Sequence, residues 1–353
     1  MKPVLHILEP GLMTTVQDLG RSGYHNLGIG ISGALDPIAL RVANLLVGNE
    51  PGAGGLEVLY FGPVIEIEAD SVRLSFAGAG AAVEILPDAS ARSGTRIEIM
   101  RSVLMKRGEV IRIGSLTGGP ALYLAVEGGF DIAPLLGSVS TNIRGGTGAW
   151  RARAVIAGDR LPLCRARASD RDECRAEGID FRAPRRIRAI PGPQDDYFDR
   201  AEIAKFFGSE YTVQSGSDRV GMRLQGEAIR HAKGFNIASD ATAPGSIQVP
   251  GNGQPIVLMA DRQTIGGYPK IATVVSADLP ELGRLSIGSK IVFEQVTLET
   301  AQSLRRTMLT DLDNLRHHIV PLDRTAADVA PLLFGHNLIS GVVDAHLDHA
   351  AEC

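Results

Sequence analysis

The sequence has 353 residues, a length typical of about two domains. Hydrophobic residues make up 44% and charged residues 22%, which excludes wholesale disorder, collagen and coiled coil. The formal net charge of −4 argues against a nucleic-acid-binding protein, because contacts with phosphates need a basic surface. The 41 glycines and the low aromatic content of 5% favour many tight turns, and therefore a strand-rich fold.

The first predicted domain, residues 1–163, consists mostly of short strands. Apolar runs recur at intervals of about 8–12 residues between Gly, Pro and Asp, which is typical of a sandwich or a closed barrel. One helix interrupts this pattern. Asp36 is its expected N-cap, Pro37 occupies the first helical position and Gly48 ends it.

An arginine-rich segment, residues 164–186, separates the first domain from a second, residues 187–300. Its apolar periodicity is weak, so we predict a solvated linker, with a basic docking surface as the alternative. The two halves share faint echoes, such as Arg21-Ser-Gly-Tyr against Arg219-Val-Gly-Met. These weak repeats predict a duplicated β-barrel. Residues 301–353 are predicted to form a C-terminal tail.

The cysteines and the apolar segments bear on the cellular compartment. Cys164, Cys174 and Cys353 form no Cys-x-x-Cys pair, so neither a disulfide framework nor a structural zinc site is expected. We see no signal peptide and no stretch approaching 18 uncharged apolar residues. The expected compartment is the cytoplasm, with no membrane partner.

The strongest functional candidate is the loop 261–270. A fully apolar strand, residues 256–260, leads directly into polar side chains, which must be satisfied or functional if they are buried. The pattern predicts a rim that binds a small polar substrate; the alternative is a hairpin held by a buried Asp–Arg pair. Besides Asp261 and Lys270, the substrate-binding residues predicted in this half are Gln248, Asn252, Gln254, Arg262, Gln263, Thr264, Gly266, Gly267 and Tyr268.

The first half offers a weaker counterpart. Arg21, Ser32, Asp36 and Asn44 are predicted to face a cleft, although Asp36 can equally be a plain helix cap. The glycine-rich loop 137–142 can bind an anion through its backbone NH groups or be an ordinary turn.

Other chemistry is not indicated. The sequence contains no nucleotide-binding motif, no nucleophile elbow and no zinc-hydrolase motif. No metal site is predicted, the weak alternative being the His-containing segment 344–349.

Several long motifs resemble those of one known family. Residues 11–24 (GLMTTVQDLGRSGY), 191–196 (PGPQDD), 217–224 (SDRVGMRL) and 261–270 (DRQTIGGYPK) resemble the allophanate hydrolase subunit 2 family. That family is also called the biotin-dependent carboxyltransferase or urea-amidolyase-related family. The resemblance covers about residues 5–296 and implies a mainly β fold, with two tandem cyclophilin-like β-barrel domains and a few short helices.

The resemblance also implies a function. We expect a subunit of a heteromeric enzyme that acts with a cognate second subunit on a small amide or ureido substrate. The first expectation is the 5-oxoprolinase type, which opens 5-oxo-L-proline to L-glutamate with ATP, since the chain carries no biotin carrier. The alternatives are a carboxyltransferase subunit of a biotin-dependent urea or amide carboxylase, and a non-catalytic partner that antagonises a kinase inhibitor.

For such a ligand, the chain is expected to bind no cofactor covalently. ATP in the assembled complex, or carboxybiotin on a partner, supplies the driving force. Asp261 is then the expected acceptor or general base, and Lys270 stabilises developing negative charge. Gln248, Asn252 and Gln263 orient the ligand, and Tyr268 covers it.

Overall fold

The computed structural model describes residues 2–322, and its first domain is a nine-stranded sheet. The hydrogen-bonded order is β2-β3-β8-β4-β1-β9, and β5 joins it through β8 while carrying β6 and β7. The strands are β1 (Val4–Glu9), β2 (Met13–Gln17), β3 (Gly55–Leu59), β4 (Val64–Glu68), β5 (Ser71–Leu86), β6 (Thr95–Ile97), β7 (Ser102–Lys106), β8 (Val110–Val126) and β9 (Arg160–Pro162).

The two long strands, β5 and β8, pair with each other in antiparallel fashion. Their register shifts between Gly78 and Gly80, and Gly78 has a φ of 115°, a conformation that L side chains rarely adopt. The shorter strands follow the expected alternation. In β1, for example, Leu5 and Ile7 are fully buried in the first core, whereas His6 between them is partly exposed.

The predicted helix is confirmed as α1 (Pro37–Leu46). The Asp36 carboxylate caps it by accepting from the backbone NH groups of Ile38 and Ala39 at 3.0 and 3.2 Å. The buried face of α1 packs on β5 and β8 in a second apolar cluster of the first domain. The helix therefore covers the side of the sheet opposite its main core.

The arginine-rich segment 164–186 contains a short strand, β10 (Cys174–Ala176), and it does not run free of the first domain. Arg73 of β5 is almost fully buried and donates to Glu173 at 3.0 Å and to the Arg171 carbonyl oxygen at 2.7 Å. It also donates to Glu127 at 2.6 Å. The segment is therefore not the predicted solvated linker, because its polar groups bind the buried guanidinium of Arg73. The composition of the segment alone does not reveal this distant partner.

The second domain contains a closed barrel in the order β11-β18-β15-β16-β13-β12-β19, which β19 closes by pairing in parallel with β11. The elements of this domain are β11 (Arg186–Pro191), α2 (Arg200–Gly208), β12 (Glu210–Val213), β13 (Gly221–Gln225), β14 (Asp240–Ala241), β15 (Ser246–Gln248), β16 (Ile256–Leu258), β17 (Ile265–Gly266), β18 (Lys270–Val274), α3 (Leu279–Leu282) and β19 (Lys290–Gln295). Strands β14 and β17 pair with each other outside the barrel. Phe206 of α2 stacks on Phe293 at 4.9 Å between ring centroids, so this helix closes one side of the core. The predicted mainly β fold is confirmed: of the two predicted barrels, the second is a closed seven-stranded barrel, whereas the first is built as the nine-stranded sheet described above.

The chain then returns to the first domain through α4 (Leu298–Asn314) and β20 (Ile319–Pro321). β20 pairs with β10 in antiparallel fashion, and Leu315 is buried in the cluster around α1. Part of the predicted tail thus belongs to the first domain, while the segment 344–349 lies outside the described residues. Between residues 2 and 322, no helix has both the length and the apolar character needed to cross a membrane.

Candidate active site between the two domains

A buried ionic network joins the two domains. Arg219, which is 5% exposed, donates to both carboxylate oxygens of Asp261, at 2.9 and 3.0 Å. The same guanidinium also donates to Glu57 of β3, which is fully buried. Ser32 donates to Asp261 at 2.6 Å from the first domain. The carboxylate of Asp261 is therefore held on both oxygens by protein donors.

The network continues into α1. The Tyr123 hydroxyl donates to Glu57 at 2.6 Å and accepts from the backbone NH of Asp36 at 2.8 Å. Burial, reinforced by the Glu57 charge, raises the pKa of Tyr123 well above its usual range. Arg284 of the second domain donates to Asp36 at 2.7 Å. Asp36 is thus both a helix cap and an interdomain ion-pair partner.

Beside this network lies a cleft of about 360 Å³, which we term the interdomain cleft. Both domains form its walls, so the loop 261–264 faces glycine-rich loops of the first domain. Its lining residues are Gly28, Gly30, Asn142, Arg144, Gly145, Val220, Asp261, Arg262, Gln263 and Thr264. Three segments that the sequence singled out separately, residues 20–33, 137–142 and 261–270, therefore meet at one place.

Arg262 is the distinctive residue of the interdomain cleft. It is only 4% exposed, yet its Nε atom has no hydrogen-bond partner, and no ion pair reaches its guanidinium within the described residues. Burial lowers the pKa of Arg262 to about 10, with no carboxylate opposing the shift. A buried cation without a counter-ion is costly to the fold, so this position is suited to an anionic ligand.

The first-domain side also holds unsatisfied polar atoms. Arg21 is 1% exposed; it donates to the Ser140 carbonyl oxygen, but its Nε and Nη1 atoms have no partner. Burial lowers the pKa of Arg21, although Asp18 and Asp261 act in the opposite direction. The hydroxyl of Thr141 is likewise buried and unpartnered. Such groups are rare unless water or a ligand satisfies them.

The glycine-rich loop 137–142 binds a carboxylate of the protein itself. The hydroxyl of Ser138 donates to Asp18 at 2.6 Å and the backbone NH of Val139 donates to the same carboxylate at 2.7 Å. The anion-binding geometry expected of this loop is therefore occupied by Asp18. Asn142, at its end, uses its side-chain oxygen to accept from Gly145 at 2.8 Å, which leaves its amide nitrogen as a donor.

Lys270 lies away from the interdomain cleft. It is 1% exposed, and its ammonium group donates to Asp240 at 2.9 Å. The Asp240 side chain is 48% exposed, and this pairing lowers its pKa. Gln194 donates to the same carboxylate at 3.1 Å. The structure does not bring Lys270 into contact with Asp261, so the paired catalytic roles predicted for them stay a prediction.

The other predicted site residues lie in three places. Asn252, Gln254 and Tyr268 line a separate cleft of about 470 Å³ on the second barrel. Gln248 and Gly266 lie together near Lys270, since a Cβ on Gly266 would approach the Gln248 amide nitrogen to 2.3 Å. Gly267 accepts from the backbone NH of Ile237 at 2.9 Å.

Asn44 has contacts that belong to the fold. Its amide nitrogen donates to the carbonyl oxygens of Leu40 and Ala53 at 3.2 and 2.8 Å, and the residue is fully buried. These bonds tie α1 to the turn that follows it.

One histidine–carboxylate group has the composition of a metal site. His6, Glu66 and Glu68 place their candidate ligand atoms within 4.8 Å of one another on β1 and β4. His6 lies 3.2 Å from each carboxylate, and Arg160 also pairs with Glu68. The contacts of His6 with the two carboxylates and the ion pair of Arg160 with Glu68 account for this group within the protein.

Sequence reasoning missed Arg219 and Glu57. A signal for Arg219 was present, because the echo between residues 21–24 and 219–222 aligns it with Arg21. Both arginines are buried beside the interdomain cleft, one on Ser140 and the other on Asp261. Glu57 lies in an apolar strand and belongs to no motif. Its ion pair with Arg219 depends on the packing of the second domain against β3, so the local sequence does not predict it.

Comparison with known proteins identifies relatives over most of the chain. The family model of the carboxyltransferase domain, subdomain A and B, matches residues 27–295. A 5-oxoprolinase subunit of Escherichia coli is 41% identical over 305 residues, which cover 86% of this chain and 94% of that protein.

Two solved structures are also similar. The crystal structure of TTHA0988 is 36% identical with a TM-score of 0.74, covering 83% of this chain and 56% of that one. The Kluyveromyces lactis urea carboxylase is 25% identical with a TM-score of 0.80, covering 92% of this chain. This chain spans only 31% of the length of that carboxylase.

Proposed function

The chain belongs to the carboxyltransferase domain family, subdomain A and B, and from this membership we propose that it is the subunit of a 5-oxoprolinase that helps to open the lactam ring of 5-oxo-L-proline. The support from relatives is the match to the Escherichia coli 5-oxoprolinase subunit at 41% identity over nearly its whole length. The observation that carries the proposal is the interdomain cleft, whose lining includes both Arg262, with its unpartnered buried Nε atom, and Asn142, with its free amide nitrogen.

In the proposed reaction, water adds across the lactam C–N bond to give L-glutamate, and hydrolysis of ATP to ADP and phosphate drives the opening. The chain contains no complete nucleotide-binding motif, so the ATP site is assigned to a partner subunit. The interdomain cleft contributes binding and orientation. Amide donors such as Asn142 and Gln263 suit the lactam carbonyl oxygen, because each presents two N–H groups.

A second candidate is the carboxyltransferase step of a biotin-dependent urea or amide carboxylase. The specific observation that favours it is the similarity to urea carboxylase, with a TM-score of 0.80 over 92% of this chain. Carboxybiotin on a partner would present a carboxylate and a planar ureido group, and the donors of Arg262 and Asn142 fit both groups. The two candidates therefore differ in the identity of the amide and in the energy source.

The test is reconstitution with partner subunits. The purified chain, its cognate partners and the complete mixture are each incubated with 5-oxoproline and ATP, and glutamate and ADP are measured. We expect turnover only in the complete mixture. Turnover by the chain alone, or ATP-dependent carboxylation of urea in the presence of a biotin carrier but no glutamate formation, would contradict the proposal.

A further inference from the structure

Among the charged residues that line the interdomain cleft, Arg262 makes no ion pair within the described residues. The Asp261 carboxylate on its wall is bound by Arg219, and Arg144 pairs with Asp218 at 2.9 Å. Arg262 is the remaining charged residue of the lining, and neither a carboxylate nor a carbonyl group of the described residues satisfies its Nε atom. An anionic ligand supplies the partner that the buried guanidinium of Arg262 lacks.

Gly30 lies close to Asn142 and to the backbone of Arg262 in the wall of the interdomain cleft. A Cβ atom on Gly30 would lie 3.2 Å from the Asn142 amide nitrogen and 3.5 Å from the Arg262 carbonyl oxygen. A guanidinium matches a planar carboxylate through two parallel N–H donors, and its pairing with such a group is among the strongest in proteins. The neighbouring amide of Asn142 offers donors of a kind suited to an uncharged carbonyl.

Resting on the proposed function, we infer that Arg262 binds the carboxylate of the substrate and thereby selects cyclic amides that carry this group. 5-Oxoproline is a monoanion at neutral pH, because α-carboxyl groups ionise at a pH of about 3.3–3.7. Urea is neutral and makes no ion pair with Arg262, so in a carboxylase only the carboxylate of carboxybiotin would pair with this cation. Arg262 is thus a specificity-determining residue that discriminates between the two candidate substrates through their charge.

The test measures equilibrium binding to the full chain assembled with its partners, by calorimetry, with four probes. These are 5-oxoproline, pyrrolidin-2-one, which lacks the carboxylate, cyclopentanecarboxylate, which lacks the lactam, and inorganic phosphate. The variants are Arg262→Gln, Arg262→Lys and the matched control Arg96→Gln, which removes an exposed arginine of β6 far along the chain.

We expect Arg262→Gln to weaken binding of both carboxylates about 10- to 100-fold, the range for hydrogen bonds to charged groups. Binding of pyrrolidin-2-one should be weak and unchanged by the substitution. Arg262→Lys should recover part of the affinity because it restores the charge without the planar fork. Arg96→Gln should behave as the unmodified protein.

Three results would overturn the inference. The first is that the unmodified protein and Arg262→Gln bind the carboxylates with equal affinity, and the second is that neither carboxylate binds. The third is that phosphate binds much more tightly than both carboxylates. The last result would assign the site to a phosphorylated ligand. The proposed function fails separately. If cyclopentanecarboxylate binds through Arg262 but the assembly never forms glutamate from 5-oxoproline, the carboxylate site stands and the lactam substrate is wrong.

Discussion

Arg219 of the second domain donates to both oxygens of Asp261 and also to Glu57 of the first domain, so one guanidinium bridges two carboxylates across the domain interface. Arg262 follows Asp261 directly in the chain, yet it shares none of these bonds. Two buried arginines beside one cleft are therefore in opposite electrostatic situations. Arg219 stabilises the interface, whereas Arg262 has an unpartnered Nε atom that is available to a ligand.

This contrast predicts different effects on stability for the same substitution. Arg219→Met should lower the free energy of unfolding by about 3–5 kcal/mol, because it leaves Glu57 and Asp261 buried without their cation. Arg262→Met should leave it unchanged or raise it, because the substitution removes a buried cation that has no counter-ion and is therefore costly to the fold. Denaturant unfolding of the two variants without ligand measures both values. Equal destabilisation would show that Arg262 has a partner after all.

A second prediction concerns Asp261. Asp261→Asn keeps the side-chain shape but removes the charge opposite Arg219, so we expect a loss of stability of about 3–5 kcal/mol. The double variant Asp261→Asn with Arg219→Met should lose less than the sum of the single changes, because both act on one ion pair. Chemical denaturation of the four proteins gives this coupling. Additive losses would mean that the two residues do not stabilise the fold jointly. An unchanged stability of Asp261→Asn would favour the predicted role of Asp261 as a catalytic group on a free rim.

The parts of the fold that follow from local chemistry were predictable from the sequence. Asp36 and Pro37 predicted the start of α1 because capping and a fixed φ act within a few residues. The apolar strand before Asp261 likewise predicted a polar turn, either a substrate-binding rim or a hairpin held by a buried Asp–Arg pair, and Asp261 is buried and paired with an arginine. The partner of Asp261 was not predictable in the same way, since Arg219 is 42 residues away and reaches it only through the packing of the barrel. The packing of the segment 164–186 was unpredictable for the same reason. Its partner Arg73 of β5 lies about 100 residues earlier in the chain, as in the bond to Glu173.

The attachment of this segment leads to a third prediction. Arg73→Gln removes the bonds to Glu127, Glu173 and the carbonyl oxygen of Arg171, so the segment should detach and become accessible to protease. Limited trypsin digestion, read by mass spectrometry, should cut after Arg171 or Arg175 at least tenfold faster in this variant than in the unmodified protein. The control is Arg112→Gln, which breaks a half-exposed ion pair with Glu84 outside the segment. Equal cleavage of all three proteins would mean that Arg73 does not hold the segment.

The last prediction concerns Lys270, whose catalytic role was inferred from the sequence. Its ammonium group is buried but pairs with Asp240, whose side chain is 48% exposed, so the pair lies at the protein surface on one side. If Lys270 stabilises negative charge on the substrate, Lys270→Met should lower turnover of the assembled enzyme about 100-fold or more, as for the loss of a charge-stabilising donor. Asp240→Asn is the matched variant, because it breaks the same ion pair and leaves the ammonium group in place. It should keep turnover within about tenfold of the unmodified enzyme. Melting temperatures recorded for the same samples separate activity from folding. Equal losses of turnover in the two variants, in step with their melting temperatures, would identify the pair as structural and remove Lys270 from the catalytic residues.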